Sequence, residues 1–101
     1  MSEEKPYDTS GRKLLTYNKT VEMVTQSRII KKNVVLTWIR RWGGYSRLKA
    51  EEMLSDLIVT KELEEVQSEE PKNPYIIAFG TKDSLIREGL YLADHLRLPG
   101  R

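Results

Sequence analysis

The chain has 101 residues, a net charge of +2, one histidine and no cysteine. One domain of this size can bury a core without disulfides, and the missing thiols exclude cystine bridges and thiolate metal sites. The first residues are polar and unlike a signal peptide, and no apolar run reaches the roughly 20 residues that span a bilayer. We therefore expect a cytoplasmic protein that has no metal or cofactor and does not enter a membrane.

The two halves of the chain differ in charge. Residues 1–49 hold eleven Lys and Arg against four Asp and Glu, a net charge of +7, and residues 50–101 hold six against eleven, a net charge of −5. A basic half joined to an acidic half favours one face for a polyanion and another that avoids it. The alternative is a solvated surface with a chance asymmetry.

Residues 1–13 contain Pro6 and Gly11 and no apolar periodicity, so they are predicted to form a flexible, polar and basic tail. Residues 14–26 fit both a helix and a strand, and a short helix from about Thr20 is the preferred interpretation. Residues 14–80 are predicted to form the core of the domain, and residues 81–101 a C-terminal helix.

A helix is predicted over Ser27–Trp42, with Ser27 as its N-cap. Trp38 lies at the centre of its apolar stripe, which contains Ile30, Val34, Val35, Trp38, Ile39 and Trp42. Gly43 and Gly44 can end this helix, because glycine adopts the left-handed conformation without a Cβ clash. Ser46 can then cap a second helix over Ser46–Val59, whose buried face would hold Ala50, Met53, Leu54, Leu57 and Ile58.

Two strands and a last helix are predicted after the second helix. Glu62–Gln67, with Leu63 pointing inward, and Tyr75–Phe79 would form a hairpin across the polar residues 68–74. A helix is predicted over Thr81–Leu98, with an apolar face that includes Leu85, Gly89, Leu92 and Leu96. This face could cover the core or pair with a second chain, and the homodimer is the preferred prediction.

The order of helix, glycine turn, capped helix, acidic strand, polar loop and apolar strand over Ser27–Phe79 resembles the winged-helix superfamily. The segment Leu54–Val66 is similar to the junction between the recognition helix and the wing. The resemblance implies a mainly α fold with a small β-hairpin, an α+β class, and a module that binds DNA, RNA or another protein.

The preferred hypothesis is a small DNA-binding protein, a transcription regulator or chromatin-type factor, that uses a basic surface around the Gly43–Gly44 turn. Protein docking within a larger assembly and RNA binding at the ribosome are the alternatives. Trp42 and Tyr45 could be core edge or ligand contact. No paired catalytic groups were found, so we expect no enzyme and no small-molecule substrate. The predicted nucleic-acid contacts are Arg28, Lys31, Lys32, Arg40, Arg41, Tyr45, Ser46, Arg47 and Lys49.

Overall fold

The computed structural model describes residues 4–91, with side chains at residue 11 and from residue 13 to residue 91. The elements in chain order are α1 (Glu4–Ser27), β1 (Ile30–Lys31), α2 (Lys32–Gly43), α3 (Arg47–Val59), β2 (Leu63–Val66), β3 (Tyr75–Ala78) and α4 (Lys82–Arg87). A mainly helical chain with a small antiparallel sheet confirms the predicted α+β class. Within residues 4–91 no helix is both long enough and apolar enough to cross a bilayer.

Helix α1 corrects two predictions. Residues 4–13 are helical rather than a flexible tail. The helix begins at Glu4 rather than at about Thr20. Its buried stripe follows Thr16, Thr20 and Val24, at intervals of four residues. The hydroxyl of Thr20 donates to the carbonyl oxygen of Thr16 at 2.7 Å, so this threonine packs as an apolar residue with its polar group satisfied. A stripe built partly of threonine shows weakly in a hydropathy pattern.

The prediction that one helix runs from Ser27 to Trp42 is wrong at its start. Ser27 ends α1, and Arg28 adopts a left-handed conformation with φ 72°, which redirects the chain. Ile30 belongs to β1 and pairs with Ile76. Helix α2 therefore begins at Lys32, and its buried face holds Val35, Leu36, Ile39 and Gly43. This pairing with a distant strand could not be read from local spacing.

The turn and the second helix agree with the sequence interpretation. Gly44 is left-handed with φ 68°, and its N–H donates to the carbonyl oxygen of Arg40 at 2.8 Å. The hydroxyl of Ser46 accepts from the N–H of Lys49 at 3.1 Å. The buried residues of α3 are four of those predicted, Ala50, Met53, Leu54 and Leu57.

The sheet has the strand order β1-β3-β2, and both pairs are antiparallel. The predicted hairpin is confirmed as β2 and β3, with Leu63 opposite Ala78 and Leu63 fully buried. Successive side chains of a strand point to opposite faces. Ile76 accordingly packs with the helices α1, α2 and α3 in a first core, and Ile77 packs with Leu85 and Tyr91 in a second core.

The predicted helix over Thr81–Leu98 begins as expected, at Lys82, but it ends earlier than predicted. Helix α4 ends at Arg87, and Gly89 has φ 79°, which is left-handed and therefore outside the helix. Leu85 is fully buried in the second core, so it is covered by residues of its own chain rather than left on an exposed face as predicted. Tyr91 is 1% exposed and packs in the same second core. Leu92 and Leu96 lie outside the described residues, and the homodimer itself stays a prediction.

Candidate nucleic-acid interface

The predicted site lies where α2 ends and α3 begins. A shallow depression of about 350 Å³ is lined by Thr37, Arg40, Arg41, Gly44 and Tyr45. An adjoining one of about 260 Å³ shares two of these side chains and is lined by Asn33, Leu36, Thr37, Arg40 and Arg47. We call the polar and aromatic residues of both depressions the turn surface: Asn33, Thr37, Arg40, Arg41, Tyr45 and Arg47.

Helical spacing explains why α2 presents these groups together. Asn33, Thr37 and Arg40 follow one another at i, i+4 and i+7, which places them along one exposed face of the helix. The sequence interpretation missed Asn33 and Thr37, because on the predicted helix only Lys and Arg were taken as contacts. The spacing of Asn33, Thr37 and Arg40 is the same in the predicted helix and in α2, so it could have indicated both residues.

Two arginines of the turn surface have no carboxylate partner among residues 4–91. Arg40 is exposed and forms no ion pair there. The guanidinium of Arg41 lies over the ring of Trp38, 5.1 Å from its centroid. Arg47 is only weakly engaged, because its Nε is 3.2 Å from Glu51 while both side chains remain well exposed. Arg40, Arg41 and Arg47 can therefore each bind a phosphate without breaking a buried contact.

Lys31 is already paired with two carboxylates. Its Nζ is 2.6 Å from Glu70 and 3.1 Å from Glu69, and it lies over the ring of Tyr75 at 5.3 Å from the centroid. The hydrogen bond to Glu70 raises the pKa of Lys31. The pKa of Glu70 is lowered by the same hydrogen bond, and that of Glu69 by a backbone hydrogen bond and then by Lys31.

Arg28 is paired as well. Its Nη2 donates to both carboxylate oxygens of Glu88, at 2.9 Å each. This bond links the end of α1 to the end of α4, so a structural role explains the residue. The structure therefore separates Arg28 and Lys31 from the arginines of the turn surface.

The loop between β2 and β3 covers the start of α2. The carbonyl oxygen of Pro74 accepts from the N–H of Lys32 at 2.8 Å, and the Asn73 side chain accepts from the N–H of Asn33 at 2.9 Å. The N–H groups of Lys32 and Asn33, two of the four that the first turn leaves unpaired, are thus satisfied by the loop and are not free to bind an anion. Lys32 is held beside the loop by its backbone, and its side chain is partly exposed.

Tyr45 and Trp42, whose roles the sequence left open, differ in their surroundings. Tyr45 packs against the first core, and its ring occupies the position that a Cβ on Gly43 would take. Its hydroxyl is buried and has no hydrogen-bond partner among the described residues. Trp42 is partly buried and packs against Trp38, with ring centroids 5.6 Å apart, while Lys19 of α1 lies 5.6 Å from the Trp42 centroid.

The sequence interpretation placed Trp38 at the centre of the apolar stripe of α2, and this prediction is wrong. Trp38 is partly exposed, and the core of α2 is formed by Val35, Leu36 and Ile39 instead. The apolar stripe is therefore centred about one residue away from the predicted position, and both tryptophans lie on its flank.

The outer face of α3 carries few groups that read bases. Its exposed residues include Leu48, Glu52, Ser55 and Val59. Lys49 is in the first turn of the helix, and its Nζ lies 3.7 Å from Oε1 of Glu52. Side chains that recognise base edges are mostly Arg, Lys, Asn and Gln. The face of α3 is therefore poorly suited to sequence reading, and the cations cluster at its first turn.

No group of three or more His, Cys, Asp or Glu within the described part of the chain is placed to hold a metal ion. Comparisons with protein families, curated proteins and solved structures find no match.

Proposed function

We propose that this chain is a small nucleic-acid-binding module of the winged-helix type that binds the phosphate backbone of duplex DNA through the turn surface. The glycine turn, the capped helix α3 and the hairpin follow one another in the order that motivated the resemblance. A regulator of transcription or a chromatin-type factor is the biological role that such a module would serve.

The observation that carries this proposal is the contrast between paired and free cations. Arg28 and Lys31 are held by carboxylates, whereas Arg40 and Arg41 have none among residues 4–91. Cations grouped without counter-charges attract a polyanion, and neutralising phosphates releases condensed counterions. Arg47 adds a third cation at the first turn of α3, where the helix dipole also favours negative charge.

The sparse outer face of α3 leads to a specific expectation. Phosphate contacts position a protein on the duplex but carry no sequence information. Binding through Arg40, Arg41 and Arg47, with little help from the α3 face, should discriminate weakly between DNA sequences. Asn33 and Thr37 would add neutral hydrogen bonds along the same backbone.

The test is a titration by fluorescence anisotropy against duplex DNA, single-stranded DNA and structured RNA at several salt concentrations. The variant is Arg40→Ala with Arg41→Ala. If each arginine neutralises one phosphate, the slope of log K against log salt should become shallower by about 1.8, since each contact contributes roughly 0.9 on B-form DNA. The loss of affinity should be similar for unrelated duplex sequences.

The matched control is Lys82→Ala with Arg87→Ala, which removes the same charge from α4. This control should keep most of the slope, because it changes the net charge without touching the turn surface. Equal losses in both variants would mean that only net charge matters, and unchanged binding in the first variant would move the site elsewhere. Tighter binding to structured RNA than to the duplex would favour the ribosome-associated alternative.

A further inference from the structure

An apolar groove lies between α1 and the C-terminal end of α3. Its volume is about 650 Å³, and its apolar walls are formed by Leu14, Tyr17, Val21, Leu57 and Val59. Leu57 belongs to the first core, and Tyr17 and Val21 pack against that core. The floor of the groove is therefore fixed by the same packing that holds the domain together. We call this site the α1–α3 groove.

The two rims of the α1–α3 groove expose large apolar side chains. Leu14 on α1 is 60% exposed, and Val59 on α3 is 73% exposed. Isolated exposed leucines are common, but apolar side chains on both sides of a groove with an apolar floor mark an interaction surface. Exposed apolar rims beside an apolar floor suit a segment of polypeptide whose own apolar side chains can cover both.

The charge around the α1–α3 groove is negative. The charged residues that line it are Glu22, Asp56 and Glu62. Lys13 is a cation beside the lining, with its Nζ 5.7 Å from the centroid of the Tyr17 ring, and the three carboxylates outnumber it. The last turn of α3 contains no basic residue, so the negative end of the helix dipole is not compensated there. A partner that fits this site should therefore carry positive charge beside its apolar side chains.

One hydrogen bond fixes the polar part of the floor. The hydroxyl of Tyr17 donates to Oδ2 of Asp56 at 2.7 Å, which joins α1 to α3. Burial, and then the hydrogen bond to Asp56, raise the pKa of Tyr17 to about 12, so the phenol remains a neutral donor at physiological pH. The Asp56 carboxylate is exposed to solvent on its other side and can meet a cation of the partner.

We propose that the α1–α3 groove docks a basic amphipathic helix of a partner protein, with its apolar side chains on the floor and its Lys or Arg side chains at Glu22, Asp56 and Glu62. Laying the apolar face of a helix into a groove is a common mode of peptide recognition. The groove and the turn surface lie at opposite ends of α3, which has 13 residues and hence spans about 20 Å. The chain can therefore hold a nucleic acid and a protein at once.

The probe is a labelled peptide of roughly 18 residues, about five helical turns, with leucine at i, i+3, i+4 and i+7 and lysine on the flanks. Two reference peptides accompany it: the same residues in shuffled order, and a version with glutamate for lysine. The full chain should bind the amphipathic basic peptide, and bind both reference peptides at least about tenfold more weakly. Binding is followed by fluorescence anisotropy.

Two pairs of variants locate the peptide. Leu14→Ala with Val59→Ala should weaken binding about tenfold or more, whereas Leu48→Ala with Leu90→Ala, which truncates exposed leucines outside the groove, should not. Glu22→Gln with Glu62→Gln should weaken binding and reduce its salt dependence. Its charge-matched control, Glu52→Gln with Glu65→Gln, should have a smaller effect. None of the four control positions lines the groove. All the substituted positions are exposed, so the variants should fold.

Three results would overturn the proposal. Equal binding of the shuffled peptide would show attraction of charge without a groove. Equal losses in the groove variants and their controls would place the peptide elsewhere. Self-association of the wild-type chain that is abolished by Leu14→Ala with Val59→Ala would make a second copy the occupant. The groove variants should keep their affinity for duplex DNA, so this test and the test of the turn surface fail independently.

Discussion

Replacing Leu85 with Ala tests whether α4 belongs to the core of this chain. Leu85 is fully buried and packs with Val66, Ile77 and Tyr91. Truncation of a buried leucine costs about 2–5 kcal/mol, as the sum of lost transfer free energy and the cavity left behind. The second core is small and can partly collapse, so we expect about 2–3 kcal/mol, which lowers Tm by roughly 10–20 °C for a domain of this size.

The assay is urea unfolding followed by circular dichroism at two protein concentrations. The control is Leu90→Ala, because Leu90 is near in sequence but 45% exposed, and it should change the free energy of unfolding by less than about 1 kcal/mol. A loss below about 1 kcal/mol for Leu85→Ala would refute the fold-back of α4. A midpoint that rises with protein concentration would instead indicate that a second chain contributes to this core.

Three further predictions concern local structure and charge. Ser46→Ala should lower the free energy of unfolding by about 1 kcal/mol, because the cap of α3 is lost; an unchanged urea midpoint would contradict this. Gly44→Ala should cost about 1 kcal/mol because φ is 68°, whereas Gly11→Ala should stabilise by up to about 1 kcal/mol because Gly11 lies within helix α1; equal urea midpoints for the two variants would contradict both. The contact of Lys31 with Glu69 and Glu70 should add stability between their ordinary pKa values of 4.5 and 10.5.

The sign of this pH dependence follows from the direction of each shift. The carboxyl pKa values are lowered in the folded chain, so their contribution is present above pH 4.5 and is lost as the pH falls through the lowered values. The pKa of Lys31 is raised, so its contribution is present below pH 10.5 and is lost at higher pH. Lys31→Met should flatten both limbs of a plot of Tm against pH, and unchanged limbs would refute the role of this contact.

The parts of the fold that were predicted correctly depend on neighbouring residues. A left-handed glycine and a serine cap act within a few residues of their positions, so Gly44 and Ser46 could be recognised directly. The strand β1 was missed because two residues become a strand only by pairing with Tyr75 and Ile76, far along the chain. The end of α4 was missed because Gly89 fits an apolar stripe as well as it fits a left-handed turn.

The candidate site shows the same division. The group of Arg40, Arg41 and Arg47 followed from their nearness to one turn. The removal of Arg28 and Lys31 from that group could not be predicted, because their partners are about 40 to 60 residues away in sequence. The charge of Glu69 and Glu70 in the loop is partly neutralised by Lys31, and this pairing could not be predicted from the sequence either.

The central position of β3 has a consequence for how the protein unfolds. Ile76 and Ile77 are adjacent, yet each is fully buried in a different core. A slip of one residue in the pairing of β3 would turn Ile76 toward the second core and Ile77 toward the first. Packing in both cores therefore fixes the register of this strand. The helices and the hairpin should therefore open together as one cooperative unit. The amide protons of β3 should be among the slowest to exchange with solvent, at a rate set by global unfolding.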